Sequence, residues 1–336
     1  MQWVLGIDTS NYTTSLAAVD VSGQHVIQAR RILPVPAGER GLRQSEALFF
    51  HVQRLPLLLD ELYAQLLSID AKVEWLGIGV SSRPRPLGRS YMPVFTVGVQ
   101  FGLALARSHG IPLLPVSHQE NHLAAAEYGL SKGLSPDESA EADFAPSLGP
   151  FIGIHVSGGT SDVLVAERTR FGYRIEQVGE GLDLHAGQFV DRVGVAMGLP
   201  FPAGPHLERL AEGAEKAFPL PSRVIDGQMS FSGPCSAALR ALADGVSAAS
   251  VAQGVQTCIA NSLVKAIAFA YQQHPEVQGV MIAGGVAANR TIRQRVRHRL
   301  RIQLPGVPVA VAPPEYARDN AVGTAHLAHR FLLAHS

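Results

Sequence analysis

Cysteine and long hydrophobic runs are both scarce in this 336-residue sequence. Cys235 and Cys258 are its two cysteines and form no motif, which excludes a disulfide scaffold and favours a reducing compartment. The N-terminal residues lack the basic region and long apolar stretch of a signal peptide. Apolar tracts are interrupted by Gly, Gln or Arg before they reach membrane-spanning length. We therefore expect a cytoplasmic protein with no membrane contact.

Charge is also limited, and its two signs are balanced. Charged residues make up 17% of the chain against 46% hydrophobic ones, and 28 basic side chains are matched by 28 acidic ones. This composition predicts a compact enzyme, and without a global positive field any RNA contact depends on a local patch. A conspicuous local excess is Arg83, Arg85 and Arg89. It is either a solvated loop or a site for phosphates, which guanidinium groups match in geometry.

A duplicated strand–turn–strand unit organises the chain. The first copy lies in residues 3–19 and the second in residues 151–165, and each joins two apolar, β-branched strands by a turn of small residues. A third strand is expected at 25–30 and at 173–178. The repeat predicts two related lobes with the ligand in the cleft between them. Small turn residues allow backbone N–H groups to approach phosphate oxygens there.

Helical periodicity accounts for most of the remaining chain. The predicted helices are 45–67, 94–106, 186–197, 207–217, 248–272, a basic helix at 289–300 and a last helix at 319–333. With a strand at 279–283, the alternation predicts an α/β protein with two mixed sheets. Segment 131–150, rich in Ser, Pro, Gly and acidic residues, is interpreted as the linker. Residues 1–140 then form the N-terminal lobe, residues 141–318 the C-terminal lobe, and the last helix packs near the first lobe.

A pair of histidines has the spacing of a metal site. Ser117 and Glu120 have the spacing of a capping box, which would start a helix after an apolar strand. His118 and His122 then lie one turn apart on one face, as two imidazoles on one ion require. A pair of solvent-facing histidines explains the spacing equally well. Gln119 stands where a zinc protease of the H-E-x-x-H type needs glutamate, which argues against that class.

Asp319 is the candidate third ligand. It lies at the predicted start of the last helix, so a plain helix N-cap is the competing interpretation. Spacing alone does not decide between the two roles.

Ordered motifs along nearly the whole chain give it a family resemblance. They are Gly6-Ile7-Asp8-Thr9-Ser10, the histidine pair in residues 116–122, Val156-Ser157-Gly158-Gly159, Asp183, Ala186-Gly187, Asp191-Arg192, Pro202-Ala203-Gly204-Pro205, Phe231-Ser232-Gly233, residues 283–290 and Asp319-Asn320. The set resembles the universal threonylcarbamoyl transferase family of the TsaD type, once described as sialoglycoproteases. The resemblance implies a two-lobed actin-like ATPase fold, shared with acetate and sugar kinases and Hsc70, with duplicated ribonuclease-H-like cores.

The resemblance also implies a site. His118, His122 and Asp319 would hold one iron or zinc ion, with Ser157 and Thr160 near the metal centre. The turn Ser157, Gly158 and Gly159 would cradle a phosphate, Asp191 and Gly204 would contact ribose and adenine, and Asn289 would hold the nucleotide from the other side. The ligand would be an adenine nucleotide: threonylcarbamoyl-adenylate, AMP or ATP. In the family the threonylcarbamoyl group passes to an adenosine of tRNA.

The acceptor side departs from the family pattern. Tyr12-Thr13 replaces an Asp-Glu pair, Thr160 replaces a histidine, and the arginine-rich segment 83–89 replaces a Gly-Pro-Gly loop. We therefore expect a divergent member that keeps the adenylate but modifies tRNA poorly by itself, with an altered or tRNA-independent acceptor.

Two other functions compete with this one. A phosphotransferase or ATPase of the same fold would leave the histidines idle and retain only Asp8 and Asp183 as acidic groups for magnesium. A non-catalytic paralogue would bind an orthodox family member as its protein partner, and an exposed apolar face in residues 47–66 would favour it.

Overall fold

A computed structural model describes residues 1–10, 12–36, 39, 41–133 and 149–335. The strands are β1 (Gln2–Asp8), β2 (Thr13–Asp20), β3 (Val26–Ile32), β4 (Glu74–Arg83), β5 (Leu113–Ser117), β6 (Phe151–Val156), β7 (Ser161–Arg168), β8 (Tyr173–Gly179), β9 (Arg223–Ile225), β10 (Gln228–Ser230), β11 (Val280–Ala283) and β12 (Val309–Val311). The helices are α1 (Gln44–Ile69), α2 (Val94–His109), α3 (His118–Ser131), α4 (Ala186–Ala196), α5 (Gly204–Ala211), α6 (Ser232–Ala243), α7 (Ala248–Gln273), α8 (Arg290–Gln303), α9 (Pro314–Ala317) and α10 (Val322–Leu333). A 3-10 turn covers Gly285–Ala288.

Two five-stranded sheets repeat the same strand order. The first is β3-β2-β1-β4-β5 and the second, read in the equivalent direction, is β8-β7-β6-β11-β12. In both, the three consecutive strands pair antiparallel, and the two later strands join in parallel. The predicted α/β architecture with two mixed sheets and a duplicated core is confirmed.

Helix α3 packs between the two sheets. On one side Leu123 lies in a buried cluster with Phe151 of β6 and with strand β11. On the other side Ala125 packs with Ala17 of β2 and Val322 of α10. Because both faces are covered, nearly the whole helix is buried. A polar side chain on α3 therefore lies either in the core or in the cleft between the lobes.

Helix α10 crosses the first sheet at backbone contact. A Cβ atom added at Gly6 of β1 would overlap the Ala321 carbonyl oxygen, and one added at Gly79 of β4 would overlap the Thr324 carbonyl oxygen. These two glycines allow the close approach, and α10 also packs against α3. The C-terminal helix is thus held against the first sheet, which is formed by the N-terminal part of the chain.

The predicted helix ends differ from the observed ones at several places. The helix predicted at 207–217 lies at Gly204–Ala211, and α10 begins at Val322 rather than at 319. The Asn320 side chain causes the later start: its amide donates to the carbonyl groups of Tyr316 and Arg318, and its Oδ1 accepts from the Val322 N–H. These bonds fix a turn ahead of the helix.

Two further expectations concern the linker between the lobes and the absence of membrane-spanning helices. Most of the predicted linker, and with it the boundary between residues 140 and 141, lies outside them. Among the helices that are described, none has the length and apolar character needed to cross a membrane.

Candidate metal centre and nucleotide cleft

The N-terminus of α3 carries the predicted capping box. The Ser117 hydroxyl accepts from the Glu120 N–H at 3.2 Å, and the Glu120 carboxylate accepts from the Ser117 N–H at 2.9 Å. The helix therefore starts where the sequence predicts, with Ser117 as its N-cap and His118 as its first residue. His118 and His122 are 3% and 0% exposed, so they do not face solvent. Their Nε2 atoms are 3.1 Å apart.

Asp319 approaches the same two nitrogens. Its Oδ1 lies 3.3 Å from His122 Nε2 and 3.7 Å from His118 Nε2. The turn before α10 positions this carboxylate, which caps no helix because the α10 N-cap is Ala321. The structure thus brings the three predicted ligands together at distances that donor atoms around one small cation can have.

His155 is a further histidine that the sequence analysis missed. A ring nitrogen of His155 lies within 4.8 Å of ring nitrogens of His118 and His122, and its ring centroid is 4.0 Å from that of His122. The available signal was a lone histidine in the otherwise apolar strand β6, directly before the Ser-Gly-Gly turn. The cluster is therefore three imidazoles and one carboxylate.

Asp8 orients the first histidine. Its Oδ1 is 3.1 Å from His118 Nδ1, the arrangement in which a carboxylate fixes an imidazole so that the opposite nitrogen faces a metal. Burial lowers the pKa of His118, but the Asp8 carboxylate outweighs burial and the net pKa is raised. Burial raises the pKa of Asp8, but the charge and hydrogen bond of His118 outweigh it and the net pKa is lowered. The two groups form a buried ion pair.

The pKa values of the other two imidazoles are lowered, which favours their neutral form. Burial and the neighbouring charge of His118 lower the pKa of His122, and burial with both neighbours lowers the pKa of His155 further. Neutral imidazole is the form that binds metals. The Nε2 atoms of His118 and His122 face each other at 3.1 Å with Asp319 Oδ1 beside both, and this donor set fits a metal ion.

The glycine turn after β6 leaves open space beside its backbone. A Cβ atom added at Gly158 would meet no atom within 4 Å. The turn is closed by the Ser157 N–H bonded to the Thr160 carbonyl at 2.9 Å, and the Thr160 hydroxyl lies 3.2 Å from His155 Nδ1. The N–H of Gly187 in the first turn of α4 donates to the Ser157 carbonyl at 3.1 Å. A helix N-terminus therefore adjoins the turn, as in many phosphate sites.

The predicted nucleoside contacts lie on α4, α5 and α8. Asp191 accepts from the Ala203 N–H at 2.8 Å, and burial raises its pKa to about 6. Gly204 has open space where a Cβ atom would stand. Asn289 caps α8, since its Oδ1 accepts from the Ile292 N–H at 2.9 Å.

The arginine-rich segment forms an ion pair between the lobes. Arg85 donates from Nε and Nη2 to the two oxygens of Asp162 at 3.2 and 3.0 Å, and Gln119 donates to the same carboxylate at 2.6 Å. Asp162 is 0% exposed. This partner of Arg85 was not foreseen, and it favours a structural role for Arg85 over the open phosphate site.

The acidic groups expected near magnesium in a phosphotransferase are otherwise engaged. Asp183 accepts from the Phe231 N–H at 2.9 Å and from the Ser230 hydroxyl at 2.7 Å. These bonds outweigh burial and lower its pKa to about 2. Asp8 is paired with His118. The donor set therefore favours a histidine-bound metal over a magnesium–ATP site.

The two sheets with the same strand order define an actin-like ATPase fold. Solved structures agree: full-length HypF in its phosphate- and nucleotide-bound form has a TM-score of 0.60 at 13% identity, covering 98% of this chain and 46% of HypF. The Clostridium difficile activator of 2-hydroxyisocaproyl-CoA dehydratase with bound ADPNP has a TM-score of 0.53 at 13% identity, covering 99% and 96% of the two chains.

The chain belongs to the TsaD family, tRNA N6-adenosine threonylcarbamoyltransferase, whose profile matches residues 51–326. The family enzyme of Geobacillus kaustophilus is 31% identical over 335 residues, covering 95% of this chain and 88% of that protein. The enzyme of Pyrobaculum aerophilum is 28% identical, covering 94% and 83%. The resemblance, the fold class and the expectation of a transferase rather than a protease are confirmed.

Proposed function

We propose that this chain binds one iron or zinc ion through His118, His122 and Asp319 and acts on threonylcarbamoyl-adenylate held in the cleft. The observation that supports it most is the approach of Asp319 Oδ1 to both histidine Nε2 atoms within 3.7 Å in a member of the TsaD family. His155 is proposed as an additional ligand. A metal bound there would supply Lewis-acid stabilisation of charge on the transferred carbonyl.

The remaining residues would hold the nucleotide. The turn Ser157, Gly158 and Gly159 would cradle the phosphate beside the α4 N-terminus. The Gly158 N–H would be its backbone donor, because the Ser157 N–H is bonded to the Thr160 carbonyl and the Gly159 N–H to the Ser157 hydroxyl. The Asp191 carboxylate would accept from a ribose hydroxyl, and Gly204 would let the adenine lie against the backbone. Asn289 would contact the nucleotide from α8. AMP and ATP carry the same adenosine and would use the same contacts.

The acceptor is proposed to differ from that of orthodox members. Tyr12 occupies the position of a family carboxylate, its ring packs edge-on against Phe201 with centroids 5.4 Å apart, and burial raises the pKa of its phenol. Such a phenol is a poor general base near neutral pH. We therefore expect weak tRNA modification by the lone protein.

The acceptor assay supplies the adenylate with unmodified tRNA, with free nucleosides or with buffer alone, and follows the threonylcarbamoyl group. Consumption without tRNA would support an altered acceptor, and binding without turnover would support a sensor or scaffold. Efficient modification of tRNA by the lone protein would refute the proposal of a changed acceptor.

Metal content tests the ligand assignment. Purified protein should contain about one iron or zinc per chain, and His118→Ala should lose most of it, because few protein ligands leave little redundancy. His109→Ala, an exposed histidine on α2, serves as the control. Full metal occupancy in folded His118→Ala would rule the assignment out.

The exposed apolar residues of α1 favour a second candidate function, which is binding to a protein partner from the same pathway. The helix exposes three large apolar side chains, Phe49, Val52 and Leu57, which are 58%, 53% and 61% exposed, and exposed apolar surface on one helix is typical of interaction sites. Copurification with an orthodox family member, and its loss in Phe49→Asp, would test this second candidate.

A further inference from the structure

Helix α8 concentrates positive charge in a chain whose net charge is zero. Its 14 residues include six arginines and no acidic residue. Helix α7 packs beside it and has Lys265 as its one charged side chain. Between Asp244 and Glu315 the sequence contains a single acidic residue, Glu276. The surface of these two helices is therefore basic, although the whole molecule is neutral.

The helix period separates its charged and apolar faces. Ile292, Val296 and Leu300 are buried in the core of the second lobe. Arg290, Arg295 and Arg301 are exposed, together with His298, and Arg299 is half-buried. At 100° per residue Arg290, Arg295, His298 and Arg301 lie on the half of the helix away from the core. Arg299 lies closer to the core face, in agreement with its partial burial.

Among the described residues, the arginine side chains of this face lack a salt-bridge partner, although the Glu208 carboxylate accepts from the backbone N–H of Arg290 at 2.6 Å. Arg295 and Arg299 both donate to the Asn261 amide oxygen, at 3.1 and 2.9 Å, so a neutral group holds them in place. Within the described ranges, Arg290, Arg295, Arg299 and Arg301 form no salt bridge with an acidic side chain. Guanidinium groups that lack an acidic partner and face solvent are suited to phosphate oxygens.

The basic face begins beside the nucleotide cleft. Asn289 caps the helix, and the 3-10 turn before it follows Gly284, whose backbone touches Val156 just ahead of the glycine turn. A helix of 14 residues is about 21 Å long, which is enough to follow the phosphates of several nucleotides. A strand whose base enters the cleft would have its backbone continue along α8.

We propose that the exposed face of α8 binds the phosphate backbone of an RNA strand, as a docking surface separate from the reacting centre. The path into the cleft rests on the proposed function, whereas RNA binding by this face does not. In the sequence, Arg83, Arg85 and Arg89 are the conspicuous basic group outside this helix. Arg85 is paired with Asp162, whereas the guanidinium groups of the four α8 arginines form no salt bridge with any acidic side chain that the structure describes.

The test compares two triple variants of equal charge. Arg295→Gln with Arg299→Gln and Arg301→Gln removes three cations from α8. Arg107→Gln with Arg170→Gln and Arg174→Gln removes three exposed cations elsewhere. Binding of unmodified tRNA is measured by fluorescence anisotropy across a salt titration. Each lost phosphate contact lowers the slope of log K against log salt by about 0.7–0.9, so the α8 variant should lose roughly two units of slope and about ten- to a hundredfold in affinity, and the control little.

An unchanged salt slope of tRNA binding in the α8 variant, or an equal loss of slope and affinity in the control variant, would overturn the inference. Binding of polyglutamate as tightly as RNA would also overturn it, because it would assign the face to an acidic protein. Calorimetry with the adenylate separates this inference from the proposed function. The α8 variant should bind adenylate as the unmodified protein does. If neither binds adenylate, the proposed function fails while the RNA result stands.

Discussion

At the scale of single residues, burial raises the pKa of the Asp191 carboxyl group. Asp191 accepts one backbone hydrogen bond, from the Ala203 N–H at the N-cap of α5. Its pKa is raised from 3.8 to about 6 because burial disfavours the carboxylate. Between these two values the folded state binds more protons than the unfolded state. The stability contributed by this group is therefore fully present below pH 3.8 and is lost as the pH rises through 6.

Asp191→Asn should remove this pH dependence. The free energy of unfolding of the unmodified protein should fall, relative to the variant, by up to about 3 kcal/mol between pH 4 and pH 7, because one pKa unit corresponds to about 1.4 kcal/mol. Denaturant unfolding of both proteins at several pH values measures it. Parallel pH profiles would show that Asp191 is not the responsible group.

At the scale of elements, a substitution in the β6–β7 turn should affect nucleotide binding without affecting the stability of the fold. Gly158→Val should abolish nucleotide binding, because the added side chain would occupy the open space where the phosphate is proposed to bind. Its effect on stability should be small, because Gly158 has no positive φ and the added Cβ meets no atom within 4 Å. Calorimetry with AMP and a thermal melt measure the two effects. Gly213→Val, whose Cβ would make an ordinary contact with the Leu210 carbonyl, should bind normally. Unchanged AMP affinity in Gly158→Val would remove the phosphate from this turn.

The same turn illustrates what sequence reasoning can and cannot provide about an element. Strand β6, the turn and β7 were predicted in place because β-branched runs and small turn residues are local signals. His155 was missed because its importance comes from His118 and His122, which lie 37 and 33 residues before it in the chain. The start of α10 was missed because the Asn320 side-chain bonds hold a turn that helical periodicity does not reveal.

At the scale of the whole molecule, the Arg85–Asp162 pair joins the two lobes. Arg85→Gln should destabilise the protein by about 2–3 kcal/mol, because it leaves a buried carboxylate without its cation. Asp162→Asn in the same chain should restore part of the loss. Arg89→Gln, on the exposed part of the same segment, is the matched control. Equal melting temperatures for Arg85→Gln and Arg89→Gln would show that the pair does not hold the lobes.

The sequence by itself determined the duplicated α/β architecture, the helix that carries His118 and His122, and the family, because periodicity, capping and ordered motifs are encoded within short segments. Only the tertiary structure decided which groups meet: Asp319 and His155 at the histidine pair, and Asp162 at Arg85. It also decided that four α8 arginines form no salt bridge within the described part of the chain. Each of these depends on segments far apart in the chain. Their approach is set by how the two sheets pack around α3 and by the backbone contacts that Gly6 and Gly79 permit.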